Sequence, residues 1–426
     1  KIYMLIIEIM DPIYGLLKLN DIEKDIVDTP EFQRLRRIKQ LSSAYLVYPA
    51  ANHTRFEHSL GAMHMAAVIG AELKDKGYIG DDDAQLLRIG GLLHDAGHGP
   101  FSHLFEDIVS KKYGSNHEDI TQRVIAETGI GDALKKHGYD PREISELARG
   151  MGKYKPFMRA VIAGPLSADL MDYIQRDSYY TGALFGRVNV YKIIDSMHVY
   201  EDQLSIEKDA VSAFEGMTIA RYEMFKEVYF HKTARGADSM LMRAIDIADS
   251  VLGFADPKNL SAYLQLTDDY LIQKILMSEQ SEIEPAKELV KDYLSRRLVK
   301  LVYEASFIGR DAFFEKLLNH QNLRNQLASE IEEHAGAKQG SVFMDLPTVP
   351  SVPKTFQREE LKDIYIISKG ETVTAKELSI NDLPVLQNIM GYYNILRIYS
   401  RKDVKQDVEK VVNDMFGEGA YGKISV

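Results

Sequence analysis

Four side chains have the types and settings to share one cation: His58 in Arg55-Phe56-Glu57-His58-Ser59-Leu60-Gly61, the adjacent pair His94-Asp95, and Asp169. A mixed imidazole and carboxylate shell suits Mn, Fe, Co, Ni or Zn better than an all-oxygen cage, and it leaves positions for water or a substrate oxygen. Seven of the 12 histidines (His53, His58, His64, His94, His98, His103 and His117) fall between residues 53 and 117. Histidine is the main neutral metal ligand and proton shuttle near pH 7. Singly these features are weak, because a lone histidine on a helix is more often a satisfied core residue than a ligand, and Asp177 beside Arg176 reads equally as surface charge. Together they point to a catalytic metal.

Helices must position this set. Ala84 to Leu93 is an apolar helix whose C-terminal end carries His94 and Asp95, stopped at once by Gly97 and Gly99-Pro100. Adjacent side chains there point about 100° apart, so they share a cation only in a notch that other helices complete. His58 lies at the start of one such helix and Asp169 in another. Asp169, Tyr173 and Asp177 step by four and therefore share one helix face. His103 and His117 each open a further helix. The spacing predicts helices over Phe56–Lys76, Asp83–Asp95, Phe101–Tyr113, Ser167–Tyr180, Ala213–Ala255 and Pro285–Val302, within an all-α body running from Glu31 to about Leu317. Past Gly336 the texture changes. Pro347, Pro350 and Pro353 predict an extended stretch, Ile364–Ser368 and Asn394–Tyr399 predict strands, and Val404–Met415 predicts a closing helix.

Composition narrows the function classes. With no cysteine, thiolate zinc sites, iron–sulfur clusters, disulfides and cysteine nucleophiles are excluded. The 52 Lys and Arg against 63 Asp and Glu give a formal charge of −11, which argues against nucleic acid as a partner. The apolar run Ile2–Ile7 is broken by Glu8 and Asp11-Pro12, too short to span a bilayer, and reads as a buried strand. No secretory signal is evident, so a cytoplasmic location and no membrane partner are expected.

The strings around His58 and His94, with Asp11-Pro12-Ile13-Tyr14-Gly15, Asp28 to Leu41 and Asp172-Tyr173-Ile174-Gln175-Arg176-Asp177, resemble the HD-domain phosphohydrolases, and within them the deoxynucleoside triphosphate triphosphohydrolases. The resemblance covers roughly the first 255 residues. It implies a mainly α fold: an HD-domain helical bundle over 1–255, a helical extension over 256–330 and a small α+β lobe over 331–426. His58, His94, Asp95 and Asp169 would hold the divalent transition metal, with Mg accompanying the nucleotide. His98, His103, His117 and Glu106 would handle the proton and the phosphate, although relatives usually carry Asp where this chain has Glu106. Arg55, His231 and Lys232 would face the phosphates. Tyr173 and Asp177 would pack on the deoxyribose, with Gln40 and Leu41 on its 3′ side, so that a ribose 2′-hydroxyl would crowd the tyrosine. Some relatives carry lysine where Leu170 stands; Lys232, Arg187 or Arg235 would then supply that charge, or phosphate affinity is weaker.

The expected reaction is hydrolysis of a deoxynucleoside triphosphate to deoxynucleoside and tripolyphosphate. An HD-type nucleotidase or phosphodiesterase and a non-catalytic, nucleotide-responsive metal-binding scaffold are the alternatives. The resemblance also implies a homo-oligomer, dimer or tetramer, with a nucleotide effector. Arg34, Arg36, Arg37 and Lys39 read either as an effector contact or, preferably, as a solvated helix face.

Overall fold

The computed structural model describes residues 7–308, 321–350, 363–368, 374–379 and 392–417. Of the strand expected at Ile2–Ile7 only Ile7 is among them, and it opens a hairpin of β1 (Ile7–Asp11) and β2 (Gly15–Leu19). Helix α1 (Arg55–Asp75) begins where the Thr54 N–H donates to Glu57 Oε2 at 2.9 Å. Nearly every side is buried, as befits a helix without a polar stripe at the centre of a bundle. Beside it lie α2 (Asp81–Leu93), α3 (His103–Tyr113), α4 (His117–Glu127) and α5 (Ala168–Thr181). α1 packs against both α2 and α5. Glycines set how close they come: a Cβ on Gly91 of α2 would lie 2.9 Å from the Ala62 carbonyl, and one on Gly61 of α1 would lie 1.9 Å from Asp172 Oδ1 of α5.

The chain then forms a hairpin, β3 (Met197–Tyr200) and β4 (Gln203–Glu207), followed by α6 (Val211–Met224) and α7 (Lys232–Leu252). Next come α8 (Asp268–Leu276), α9 (Glu284–Leu294), β5 (Lys300–Ile308), α10 (Gln321–His334), β6 (Val342–Asp345), β7 (Thr348–Pro350), β8 (Asp363–Ser368), β9 (Thr374–Ser379), β10 (Tyr392–Ser400) and α11 (Lys405–Phe416). Among the described residues these strands form two four-stranded sheets. β10 pairs antiparallel with β5, β6 and β7, while β8 joins β4 in parallel and β9 antiparallel.

The fold is mainly helical, as expected, but several element limits differ. The body from Glu31 onward is not all-α, since it contains β3, β4 and β5. Ala213–Ala255 is two helices: a π turn over Phe225–Tyr229 ends the first, and His231, in extended backbone, caps the second through Nδ1 accepting from the Thr233 N–H at 3.2 Å. Pro285–Val302 is likewise divided. α9 stops at Leu294, Arg296 takes a φ of +55°, and the β-branched and aromatic residues after it pair with β10. The segment 256–330, expected to be helical, thus contributes a strand to the same sheet as the C-terminal strands. Pro353 lies outside the described residues.

Candidate active site

α1 delivers His58, the turn ending α2 delivers His94 and Asp95, and α5 delivers Asp169. His58 Nε2 lies 3.1 Å from His94 Nε2, 3.2 Å from Asp169 Oδ1 and 3.5 Å from Asp95 Oδ2. His94 Nε2 lies 3.4 Å from Asp95 Oδ1 and 3.6 Å from Asp169 Oδ1. The other ring nitrogens are already committed: His58 Nδ1 donates to Asp172 Oδ2 at 2.8 Å, and His94 Nδ1 to the Gly91 carbonyl at 2.8 Å. In neutral rings with those tautomers both Nε2 lone pairs face each other and two carboxylates, an arrangement that repels itself unless a cation sits among them. The residues present therefore fit a divalent metal. Their negative field shows in His58: burial alone would lower its pKa, yet the hydrogen bonds to Asp169 and Asp172 raise it to about 10.

Asp172 is itself held. Arg176 donates through Nε and NH2 to its two oxygens at 2.9 Å, and through NH1 to Asp11 Oδ2 of β1 at 2.9 Å. Neither Asp172 nor Arg176 had an assigned role in the sequence, although the i,i+4 spacing of opposite charges was visible there.

On the other side of Asp95 the remaining histidines gather. His98 Nε2 lies 3.2 Å from Asp95 Oδ1, and its ring stacks on His117 with centroids 4.2 Å apart. Glu106 accepts from His103 Nδ1 at 3.0 Å and from His117 Nδ1 at 2.5 Å, so the longer side chain at this position bridges two imidazoles. Burial opposes ionisation of Glu106, but the two histidines hold it well below the usual carboxylate range. His117 is correspondingly raised, its burial outweighed by Glu106. His98 is pushed well below its ordinary value by burial and by Arg55 and His117, and is neutral at pH 7. His103 is open to solvent, with 74% of its side chain exposed. Arg55 is buried, with NH1 on Asp95 and Nε on Ser102 Oγ at 2.8 Å. Its fork thus steadies Asp95 and the loop after α2.

Along α5, Tyr173 Oη accepts from Arg221 Nε at 2.9 Å. Asp177 is bonded through Oδ1 to His53 Nε2 at 2.8 Å and accepts through Oδ2 from Tyr229 Oη at 2.7 Å. His53 also stacks on Tyr180 and accepts through its carbonyl from the Gln40 N–H at 3.0 Å, which brings Gln40 and Leu41 beside this face. Gln40 Oε1 and His53 Nδ1 are buried without a protein partner. His231 caps α7 through Nδ1, and Lys232 is exposed at its first turn. Of the cations considered in place of a lysine at Leu170, Arg235 is paired with Asp345, Nε to Oδ2 at 3.0 Å, and Arg187 is exposed.

The basic run 34–39 is not the solvated face preferred from sequence. Arg34 is buried, donating to the Leu266 carbonyl at 2.9 Å and the His98 carbonyl at 2.8 Å, and only Arg36 and Arg37 are exposed. His53, Arg221 and Tyr229 are partners that sequence reasoning missed. His53 was visible only as one of the clustered histidines.

A helical bundle closing on two histidines and two aspartates defines a metal-dependent hydrolase class, and comparison with known proteins agrees. The HD domain model matches residues 55–177, and the HD associated region model matches residues 188–420. An uncharacterised protein of Methanocaldococcus jannaschii is 36% identical, the match covering 95% of this chain and 82% of that protein. A protein of Dictyostelium discoideum named deoxynucleoside triphosphate triphosphohydrolase SAMHD1 homolog is 33% identical over 70% of this chain and 60% of its own length. The crystal structure of a hypothetical protein from Aquifex aeolicus superposes with a TM-score of 0.74 at 28% identity, covering 96% of this chain and all of that one. The chain belongs to the HD-domain phosphohydrolase family and is a metal-dependent phosphohydrolase. Among the described residues no helix is long and apolar enough to cross a membrane.

Proposed function

We propose that this chain hydrolyses deoxynucleoside triphosphates to deoxynucleoside and tripolyphosphate, with His58, His94, Asp95 and Asp169 holding a divalent Mn, Fe, Co, Ni or Zn ion. The observation that carries the reading is that one helix face, Asp169–Tyr173–Asp177, runs from the cation cluster to a buried carboxylate flanked by His53, Tyr229 and the Gln40–Leu41 loop. When bound, the cation supplies a coordinated water of lowered pKa and neutralises charge on phosphoryl oxygens.

The protein's own groups do the rest. Asp172 fixes the His58 tautomer so that Nε2 faces inward. His117, kept protonated by Glu106, presents positive charge toward a phosphate, and His103, its Nδ1 on Glu106, delivers a proton from Nε2 to the leaving oxygen. Asp177, with one lone pair on each oxygen already used, accepts from a sugar hydroxyl, and the Tyr173 ring limits space at the 2′ position. Mg accompanies the nucleotide. The names of the Dictyostelium and human relatives, the latter 29% identical over 75% of this chain and 58% of its own length, support the substrate class. The resemblance further supports a homo-oligomer, dimer or tetramer, responding to a nucleotide effector.

Leu170 favours a second reading, a nucleotidase or phosphodiesterase, because no lysine follows Asp169. Mass-spectrometric analysis of products from dNTPs, NTPs and nucleoside monophosphates with each metal decides between them. Tripolyphosphate from dNTPs supports the first; turnover of monophosphates without tripolyphosphate supports the second.

A further inference from the structure

Two loops lie beside the candidate site, one placing His98 against Asp95 and the other bonded through the Gln40 N–H to the His53 carbonyl, and both carry unfavourable backbone. Phe101 and Ser102 have φ of +56° and +55°, and Ser42 has +43°. None is glycine, and such backbone is unfavourable for L side chains, so it persists only where surrounding contacts over-determine it. The first loop, Gly97 to Ser102, aims His98 and His103; the second, Lys39 to Ser42, carries Gln40 and Leu41.

One carboxylate joins them. Asp268, the first residue of α8 and 3% exposed, accepts from the Phe101 N–H at Oδ1, 2.7 Å, and from the Lys39 N–H at Oδ2, 2.9 Å. Ser102 Oγ donates across the same junction to the Lys39 carbonyl at 2.9 Å. The segment leading into α8 grips the same turn twice more: Tyr263 Oη donates to the Gly97 carbonyl at 3.2 Å, and the Leu266 carbonyl takes Arg34 Nε, whose NH1 holds the His98 carbonyl. A methyl on Gly99 would meet Phe105 at 2.4 Å and Tyr263 Oη at 2.7 Å, so the turn is closely seated against this segment.

We propose that Asp268 is a positioning residue that latches the Lys39–Ser42 loop to the Gly97–Ser102 loop, fixing the distance between the residues facing the sugar and the histidines facing the phosphate. It touches no reacting atom. It acts from outside the HD domain match, through backbone amides alone, and its carboxylate is suited to the task because both oxygens can accept while asparagine offers only one. The assignment of what the loops face rests on the function proposed above; the latch itself rests on geometry. Burial pushes the Asp268 carboxyl up to about 6 against the two backbone donors, so at pH 7.5 it is ionised and accepts both.

The test compares Asp268→Asn with Asp249→Asn, a buried carboxylate in α7 that likewise accepts a backbone N–H, from Ala255 at 2.7 Å, but whose other bonds go to Tyr113 Oη at 3.0 Å and Lys112 Nζ at 3.3 Å rather than to either loop. Hydrogen exchange at pH 7.5 without substrate is expected to accelerate at least tenfold in peptides covering residues 36–44 and 97–105 for Asp268→Asn and to stay unchanged there for Asp249→Asn. With Mn²⁺ and dGTP, kcat is expected to fall at least tenfold for Asp268→Asn at unchanged metal stoichiometry. Wild-type exchange in both peptides overturns the latch, and faster exchange with kcat within twofold of wild type overturns the positioning role. If the wild type does not cleave dGTP, the proposed substrate fails while the exchange comparison still decides the latch. Asp268→Glu keeps the charge but moves it by about 1.5 Å; it should loosen the same two peptides by a smaller factor, and it decides the matter if the asparagine protein does not fold.

Discussion

At His58 the physics is a choice of tautomer. The ring is useful to a cation only if Nε2 is bare, and Asp172 ensures this by taking the proton on Nδ1 at 2.8 Å. Asp172→Asn can still accept from Nδ1 but loses the charge that makes the ring a stronger ligand, and it leaves Arg176 buried with a weaker partner. Metal affinity measured by competition titration should fall by about 10–100-fold. The Glu106–His117 pair gives a pH-dependent counterpart. Glu106 sits below its ordinary 4.5, so its contribution to stability is present above that pH and is lost as pH falls through the depressed value. His117 sits above its ordinary 6.5, so its contribution is present below that pH and is lost as pH rises through the raised value. Urea unfolding of Glu106→Gln should show a deficit of about 2 kcal/mol between pH 4.5 and 6.5 that shrinks toward pH 9; a deficit independent of pH would contradict the pairing.

At the scale of elements, the site depends on how closely α1 and α5 approach. Gly61 permits it, because any Cβ there would overlap the Asp172–Arg176 pair. Gly61→Ala should cost about 3 kcal/mol in urea unfolding, far more than an exposed helical glycine, which alanine normally improves. Much of this level was legible in the sequence. His94-Asp95 at a helix end and Asp169, Tyr173 and Asp177 at four-residue steps are local patterns, and local patterns fix which side chains share a face. The His53–Asp177 bond was not legible, because its partners are 124 residues apart and histidine carries no periodic signal. The break at Phe225–His231 was also hidden, since a π turn followed by a histidine cap keeps the apolar spacing of a continuous helix.

Across the whole molecule, the sheets were the least legible feature. Strands β8 and β10 were readable as β-branched runs, but their partners were not: β8 pairs with β4, and β10 with β5, from segments read as helical. Register between distant strands depends on tertiary packing that no local window contains. The same long-range assembly brings Asp268 to the two loops and Asp345 to Arg235. What the assembled molecule does is the central claim, and hydrolysis of dGTP with Mn²⁺ in ¹⁸O-labelled water tests it most directly. Attack at the α-phosphorus predicts tripolyphosphate carrying one ¹⁸O atom and unlabelled deoxyguanosine; label in deoxyguanosine, or in orthophosphate released without tripolyphosphate, would contradict it.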